Sequence, residues 1–183
     1  MSESMLGWAD SLPARWRSLP LKRVAGITTS NVDKKTYDDG IPVRLCNYTD
    51  VYYHEQITPE LPSMEATATP TEIRRFGLRA GDVIITKDSE SWSDIAIPAC
   101  VRAEIPNLVC GYHLTILRGE TGKLDGRYPL RVLQASGVRE QLWTSANGIT
   151  RFGIGLGAIG RTVIPVPPVD VQRAIADFLD RKT

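Results

Sequence analysis

The sequence contains little cysteine and little histidine, and this scarcity excludes several classes of site. Its three cysteines, Cys46, Cys100 and Cys110, are odd in number, lie among apolar neighbours and form no Cys-x-x-Cys pair. Neither a disulfide framework nor a cysteine-based metal site is therefore predicted. The two histidines, His54 and His113, are far apart and belong to no spaced ligand set, so a zinc site or a catalytic triad is not expected. The cysteine pattern favours a reducing, cytoplasmic setting.

The chain also lacks a large net charge and a long apolar run. Its 22 Lys and Arg residues nearly balance 21 Asp and Glu residues, which gives a formal net charge of +1. This balance weakens any case for indiscriminate binding of nucleic acid. No apolar run approaches the length of a membrane span, and the start of the chain lacks the pattern of a signal peptide, so no membrane partner is expected. A length of 183 residues predicts one domain.

The charges are unevenly placed along the chain. Between residues 50 and 72 every charged side chain is acidic, whereas arginines outnumber the nearby acids between residues 127 and 161. Such a molecule could present one cationic face to DNA. The alternative is a solvated surface on which the two signs are mixed, because segregation in sequence does not establish segregation in space.

Motifs for autonomous catalysis are absent from the sequence. The glycine-rich stretch 147–160 has neither the Gly-Lys-Ser/Thr ending of a phosphate loop nor the spacing of a dinucleotide fingerprint. Asp82, Lys87 and Glu90 do not form the acid-x-Lys pair of a metal-dependent nuclease, and no loop for S-adenosylmethionine is recognisable. The sequence therefore predicts a protein that is not an enzyme by itself and holds no cofactor or metal of its own.

The pattern of apolar residues predicts a mixed α+β fold. Strands are expected where β-branched residues cluster, at 41–46, 83–86, 95–101 and 108–117. Two short helices are expected at Tyr128–Ala135 and Val138–Thr144, separated at Gly137. The proline-containing stretches 8–22 and 58–71 are predicted to be an irregular lead-in and a long loop. The class is α+β, with a central sheet that is largely antiparallel or barrel-like.

The last residues predict an amphipathic helix that begins near a double proline. Pro168 has a backbone angle suited to a first helical turn, and Asp170 places a carboxylate near the helix N-terminus. An apolar stripe at helical spacing follows, formed by Val171, Ile175, Phe178 and Leu179. We expect residues 1–166 to form a recognition domain, and residues 167–183 to form the start of a truncated spacer or dimerisation helix that projects from it. The stripe would then serve assembly with a partner, and the alternative is a C-terminal helix that folds back on its own domain.

Three polar segments carry the residue types that contact base edges and phosphates in DNA. They span residues 86–93, 145–151 and 30–36. Arg, Asn, Ser and Thr are usual readers of the major groove, and Lys contacts phosphates. The candidate DNA-contacting residues are Lys87, Ser89, Ser91, Trp92 and Ser93, then Asn147, Thr150 and Arg151, and finally Asn31, Lys34 and Lys35. Each segment alone is typical of a solvated loop, but three of them on a chain without an enzymatic motif favour DNA binding.

A series of motifs, taken in order, resembles the specificity (S) subunit of type I restriction–modification enzymes. The most specific is the last, in which a double proline at Pro167 and Pro168 leads into the helix that reaches Leu179. The other matching segments are Trp16-x-x-x-Pro20-Leu21, Ile41–Asn47, Leu78–Lys87, Tyr128–Gln134, Val138–Leu142 and Ala146–Arg151. The resemblance covers nearly the whole chain and corresponds to one target recognition domain followed by the start of a helix.

The resemblance implies that the chain is half of a larger DNA-recognition subunit. A full S subunit has two recognition domains, each followed by a long helix, and the two helices pair antiparallel as a ruler between two half-sites. The implied partners are double-stranded DNA, modification subunits, restriction subunits, and a second recognition domain or half-subunit. S-adenosylmethionine, ATP and Mg²⁺ are expected only on partner subunits, where adenine is methylated at N6 after the base is flipped out. The chain itself would supply sequence readout, as a truncated piece or a natural half-subunit.

Two other interpretations stay open at this point. A recognition domain of a fused restriction–methylation enzyme would have nearly the same sequence pattern. A protein-binding scaffold module that does not contact DNA is favoured by the near-zero net charge. Salt-dependent binding to duplex DNA separates the scaffold from the two DNA readers, because phosphate contacts make affinity fall steeply with salt.

Overall fold

The computed structural model describes residues 3–182, and it has the mixed α+β composition that the sequence predicts. The strands are β1 (Arg17–Pro20), β2 (Ala25–Thr29), β3 (Ile41–Cys46), β4 (Gln56–Ile57), β5 (Met64–Ala68), β6 (Val83–Thr86), β7 (Asp88–Ser89), β8 (Pro98–Val101), β9 (Leu108–Cys110), β10 (Leu114–Gly119), β11 (Phe152–Gly153) and β12 (Val163–Val166). The α-helices are α1 (Tyr48–Tyr53), α2 (Pro70–Phe76), α3 (Tyr128–Gln134), α4 (Ser136–Thr144), α5 (Leu156–Arg161) and α6 (Val169–Asp180). Short 3-10 helices span Glu3–Ser11, Leu21–Arg23 and Trp92–Asp94.

The central sheet has five strands in the order β2-β10-β6-β8-β4. Its pairings are antiparallel except at the edge, where β4 runs parallel to β8. This confirms the largely antiparallel sheet. Across the described residues the sheet is open, because β2 and β4 each have one neighbour, so it does not close into a barrel.

Apolar cores cover both faces of the central sheet. Along β6, Val83 and Ile85 belong to a core shared with the C-terminal helices, whereas Ile84 belongs to a second core. This second core also contains Val43 and Val109, from the three-stranded sheet β5-β3-β9. Successive side chains of a strand point to opposite faces. A strand buried on both faces is therefore a mostly apolar run, as Val83–Ile85 of β6 is.

Two stretches predicted to be irregular contain regular structure. Residues 58–71 were expected to form a loop, but they contain β5 and the start of α2. A capping box starts α2, because Thr69 accepts from the backbone of Glu72 and the Glu72 carboxylate accepts from the backbone of Thr69. The lead-in 8–22 contains β1, which pairs antiparallel with β12.

The break between the two predicted short helices lies earlier than expected. It falls at Ala135, whose backbone is extended, and Gly137 lies inside α4. Gly137 is needed for packing, since a Cβ there would lie 2.8 Å from a ring carbon of Trp8. The glycine thus marks a close contact with the N-terminal segment and not a helix end.

The C-terminal helix is confirmed as a helix, but the prediction that it projects from the domain is wrong. α6 packs on its own domain through Gln172 and Ala176, which are both fully buried. The Gln172 amide accepts from the backbone of Asp125 at 2.8 Å and donates to the carbonyls of Lys123 and Pro167. The hydrogen bonds of Gln172 and the apolar contacts of Ala176 and Ile175 therefore hold the helix against the domain.

The end of α6 is fixed by charges. The carboxylate of Asp180 accepts from Arg131 and Arg102, each at 2.9 Å, and Arg131 also reaches Glu55 at 2.9 Å. The side chain of Arg131 is only 5% exposed. Hydrogen bonds from Arg131 and Arg102 overcome the effect of burial and lower the pKa of Asp180.

The end of the apolar stripe of α6 faces outward, whereas Ile175 packs against the core that contains Val83 and Ile85. Val171 and Ile175 are half-buried, Phe178 is 54% exposed and Leu179 is 36% exposed. None of the helices between residues 3 and 182 combines the length and apolar character needed to cross a membrane.

Candidate nucleic-acid interface

The three predicted DNA-contacting loops meet at one end of the central sheet. β2 and β6 both run antiparallel to β10, so the residues that follow Thr29 and Thr86 lie beside the start of β10 at Leu114. The loop after β6 is joined to the 145–151 loop through pairing of β7 with β11, and Asn147 bridges to Gly153. The chain order alone did not establish this proximity.

A tight turn at Tyr112 and His113 connects the three loops. The backbone N–H of Tyr112 donates to the carbonyl of Val32 at 2.7 Å, and the N–H of Lys87 donates to the carbonyl of His113 at 3.0 Å. His113 has a φ of 72°, in the left-handed region that non-glycine residues seldom adopt. The sequence analysis did not identify these two residues as part of the surface. His113 was considered only as a metal or triad ligand.

Asp88 is the centre of a cluster of cations. Its carboxylate accepts from Lys87 at 2.7 Å and from Arg151 Nη2 at 2.6 Å, and His113 Nδ1 contacts it as well. Burial acts to raise the pKa of Asp88, but hydrogen bonds from Lys87 and Arg151 outweigh burial and hold that pKa below its usual value. Burial lowers the pKa of His113, and this effect outweighs the attraction of Asp88.

Asp94 is the centre of a second cluster, made of hydroxyl groups. Its carboxylate lies 3.2 Å from the hydroxyl of Ser89, 3.4 Å from that of Ser93 and 3.3 Å from that of Tyr52. The hydroxyl of Ser91 lies 2.7 Å from that of Ser93. The hydroxyls of Ser89, Ser93 and Tyr52 thus contact the Asp94 carboxylate directly. The hydroxyl of Ser91 is linked to it through Ser93.

A short tyrosine-rich helix forms the wall opposite these loops. α1 starts with a capping box in which the Asn47 side chain accepts from the backbone of Thr49 and Asp50 closes the box. Its tyrosines line an open cavity of about 540 Å³ together with both carboxylate clusters. The lining includes Tyr48, Tyr52, Tyr53, Asp88, Glu90, Asp94 and Arg151. The sequence analysis did not identify α1, although Asn47 and Asp50 have the spacing of a capping box.

The remaining predicted residues lie at the rim of this surface. Asn147 and Thr150 are exposed, and Trp92 is 50% exposed with its ring edge-on to Trp143 at 5.1 Å. Gly148 has a φ of 152°, and a Cβ there would lie 1.9 Å from the carbonyl oxygen of Arg151. Glycine is therefore required to shape this loop.

The segment 31–35 contacts the other two loops only through its first residues. Val32 pairs with Gly111 beside the Tyr112 turn, whereas Lys34 and Lys35 lie further along and are exposed. In the part of the chain that the structure describes, neither lysine forms an ion pair. Asn31 is also exposed.

The arginines between residues 127 and 161 do not form one cationic face. Arg127 pairs with Asp177 at 2.6 Å, Arg131 is buried against Asp180, and Arg139 lies over the ring of Trp143. Arg151 is the member of this set that lies in the loop cluster. Between residues 3 and 182 no group of three or more His, Cys, Asp or Glu side chains is arranged to hold a metal ion.

Comparisons with known proteins find matches by structure and not by sequence. Neither the protein-family models nor the curated proteins give a match. The chain is similar to the HsdS subunit of Thermoanaerobacter tengcongensis, with 20% identity, a TM-score of 0.64, and coverage of 93% of this chain and 37% of that one.

Two further solved structures give the same result. The S subunit of a type I restriction–modification system from M. genitalium shows 14% identity and a TM-score of 0.55, over 90% of this chain and 38% of that one. A chain from a structure on the assembly and conformational transition of the type I restriction–modification system shows 18% identity and a TM-score of 0.66. The match covers 97% of this chain and 42% of that one. The chain thus spans about two fifths of the length of each match. It has the fold of a target recognition domain of type I restriction–modification S subunits.

Proposed function

We propose that the chain is a sequence-specific DNA reader for one half-site of a type I restriction–modification complex. The observation that carries this proposal is the meeting of three polar loops at one end of a sheet with the S-subunit fold. Loops held by a rigid scaffold are where recognition residues usually lie. In this proposal the chain directs adenine methylation and DNA cleavage by partner subunits and performs no chemistry itself.

Arg151 is suited to read a base because Asp88 holds it in place. Its Nε and Nη2 donate to the Asp88 carboxylate, while its side chain stays 51% exposed. A guanidinium has five N–H donors, and those on Nη1 have no partner among the described residues. A side chain fixed before binding loses less conformational entropy. Arg151 can therefore offer donors to the acceptor edge of guanine.

The proposed partners follow from the same fold. The exposed stripe of α6 would pack against the equivalent helix of a second recognition domain or half-subunit, and modification and restriction subunits would complete the complex. S-adenosylmethionine, ATP and Mg²⁺ would be held by those subunits. The three cysteines are free and buried, in keeping with the proposed cytoplasmic setting. The division into a domain of residues 1–166 and a spacer helix of residues 167–183 stays a prediction.

Replacing Arg151 with alanine tests the assignment of the base reader. Removal of a bidentate base contact typically costs about 1–3 kcal/mol at one position of a site. Enrichment of bound duplexes from a randomised pool should therefore show reduced preference at particular bases for Arg151→Ala. Lys35→Ala is the matched comparison, because the loss of a phosphate contact weakens binding evenly across sequences. Identical enriched sequences for wild type and Arg151→Ala would show that Arg151 reads no base.

A further inference from the structure

The hydroxyl cluster around Asp94 has a fixed direction of hydrogen bonding. An ionised carboxylate only accepts, so Ser89, Ser93 and Tyr52 must each donate their single hydroxyl proton to Asp94. Because Ser93 has used its proton, Ser91 must donate in the 2.7 Å contact between their hydroxyls. The negative charge of Asp94 raises the pKa of Tyr52, which keeps its phenol protonated and donating.

The groups left to face a ligand are therefore acceptors. A hydroxyl has two lone pairs besides its proton, so Ser91 and Tyr52, which both line the cavity, can still accept hydrogen bonds. Glu90 is exposed on the same loop and adds a carboxylate to the same cavity. Ser89 and Ser93 contribute less, because the Ser89 oxygen also accepts from the backbone N–H of Ser91 at 3.4 Å and the Ser93 oxygen accepts from the hydroxyl of Ser91 at 2.7 Å.

Such a surface favours a base edge over a phosphate. Phosphate oxygens are acceptors with a negative charge, and at this surface they would meet the Glu90 carboxylate and hydroxyl oxygens whose protons are already donated within the Asp94 cluster. In the major groove the donors are the exocyclic amino groups, N6 of adenine and N4 of cytosine, whereas guanine and thymine present keto oxygens at the equivalent place. An acceptor surface at that place distinguishes amino bases from keto bases.

We infer that the surface formed by Ser91, Tyr52 and Glu90 reads an amino base, adenine or cytosine, at one position of the half-site. This inference rests on the proposed function. Asp94 is the positioning residue, since it holds the hydroxyl protons away from the DNA. The surface where the three loops meet thus presents hydrogen-bond acceptors around Asp94 and hydrogen-bond donors at Arg151.

Asp94→Asn is the direct test. The amide has one oxygen and one NH2 group in place of two acceptor oxygens, so at least one hydroxyl must accept from it and turn its own proton outward. In selection from a randomised duplex pool, wild type should enrich one position with adenine or cytosine over guanine or thymine. Asp94→Asn should reduce that discrimination by about tenfold. Tyr52→Phe, which removes one acceptor, should reduce it less.

Asp170→Asn is the matched control. It makes the same change of charge on an exposed side chain at the start of α6, away from the loop cluster, and should leave the enriched sequence unchanged. If Asp94→Asn fails to fold, the result for Tyr52→Phe decides. A wild-type chain that enriches no sequence contradicts the proposed function itself. A wild-type chain with a clear site whose base discrimination survives both variants overturns only this inference.

Discussion

Arg131→Ala is expected to lower the free energy of unfolding by about 3 kcal/mol. Arg131 is nearly inaccessible to solvent and lies between Asp180 of α6, Glu55 and Gln134. Its removal leaves Asp180, which is only 13% exposed, without its main partner. Loss of one member of a buried ion pair is costly because the other charge stays away from water. Chemical denaturation of the two proteins measures the difference.

Arg173→Ala provides the control for this prediction. Arg173 lies on α6 and pairs with Asp125 of the domain at 3.0 Å, but its side chain is 63% exposed. Exposed ion pairs contribute little, so its loss should change the free energy of unfolding by less than about 1 kcal/mol. Equal effects of the two substitutions would mean that the ion pairs of Arg131 do not hold α6 against the domain.

Phe178→Asp is expected to prevent association through α6. Burial of a Phe side chain is worth on the order of 1.5–3 kcal/mol, which corresponds to at least about a tenfold change in an association constant. Phe178 is 54% exposed and makes no contribution to either apolar core, so the recognition loops should stay folded. Sedimentation velocity over a range of concentrations should show self-association of the wild-type chain and a monomer for the variant.

Leu156→Asp is a matched substitution at another exposed apolar side chain. Leu156 lies on α5 and is 46% exposed, so the change in polarity is similar but lies outside the stripe. It should leave the self-association of the chain intact. A wild-type chain that stays monomeric at all concentrations, or a Phe178→Asp variant that associates as well as wild type, would contradict an assembly role for the stripe.

The sequence was sufficient to predict structure where one local pattern determined it. The run Val83–Thr86 predicts a buried strand, and the stripe from Val171 to Leu179 predicts a helix, because both depend on residues that are close in the chain. The capping boxes that start at Asn47 and Thr69 are local as well. They were a readable signal for α1 and α2 that the sequence analysis did not use.

Features that depend on distant contacts could not be predicted in the same way. The apolar stripe of α6 was expected to pack on a partner while the helix projects from the domain, since apolar faces usually pack. The helix packs on its own domain because Gln172 finds three backbone partners and Asp180 finds two arginines, most of them distant in sequence. The role of Tyr112 and His113 likewise depends on contacts with Val32 and Lys87.

The salt dependence of binding to duplex DNA tests the central proposal most directly. Lys34, Lys35, Lys87 and Arg151 are the cations of the three loops, and two of them are partly neutralised by Asp88. Each neutralised phosphate contributes about −0.9 to the slope of log K against log salt, so a slope between about −2 and −4 is expected for a random duplex. The duplex enriched from the pool should bind at least about tenfold more tightly at every salt concentration. Absence of binding at low salt, or an affinity that does not change with salt, would contradict DNA recognition by this chain.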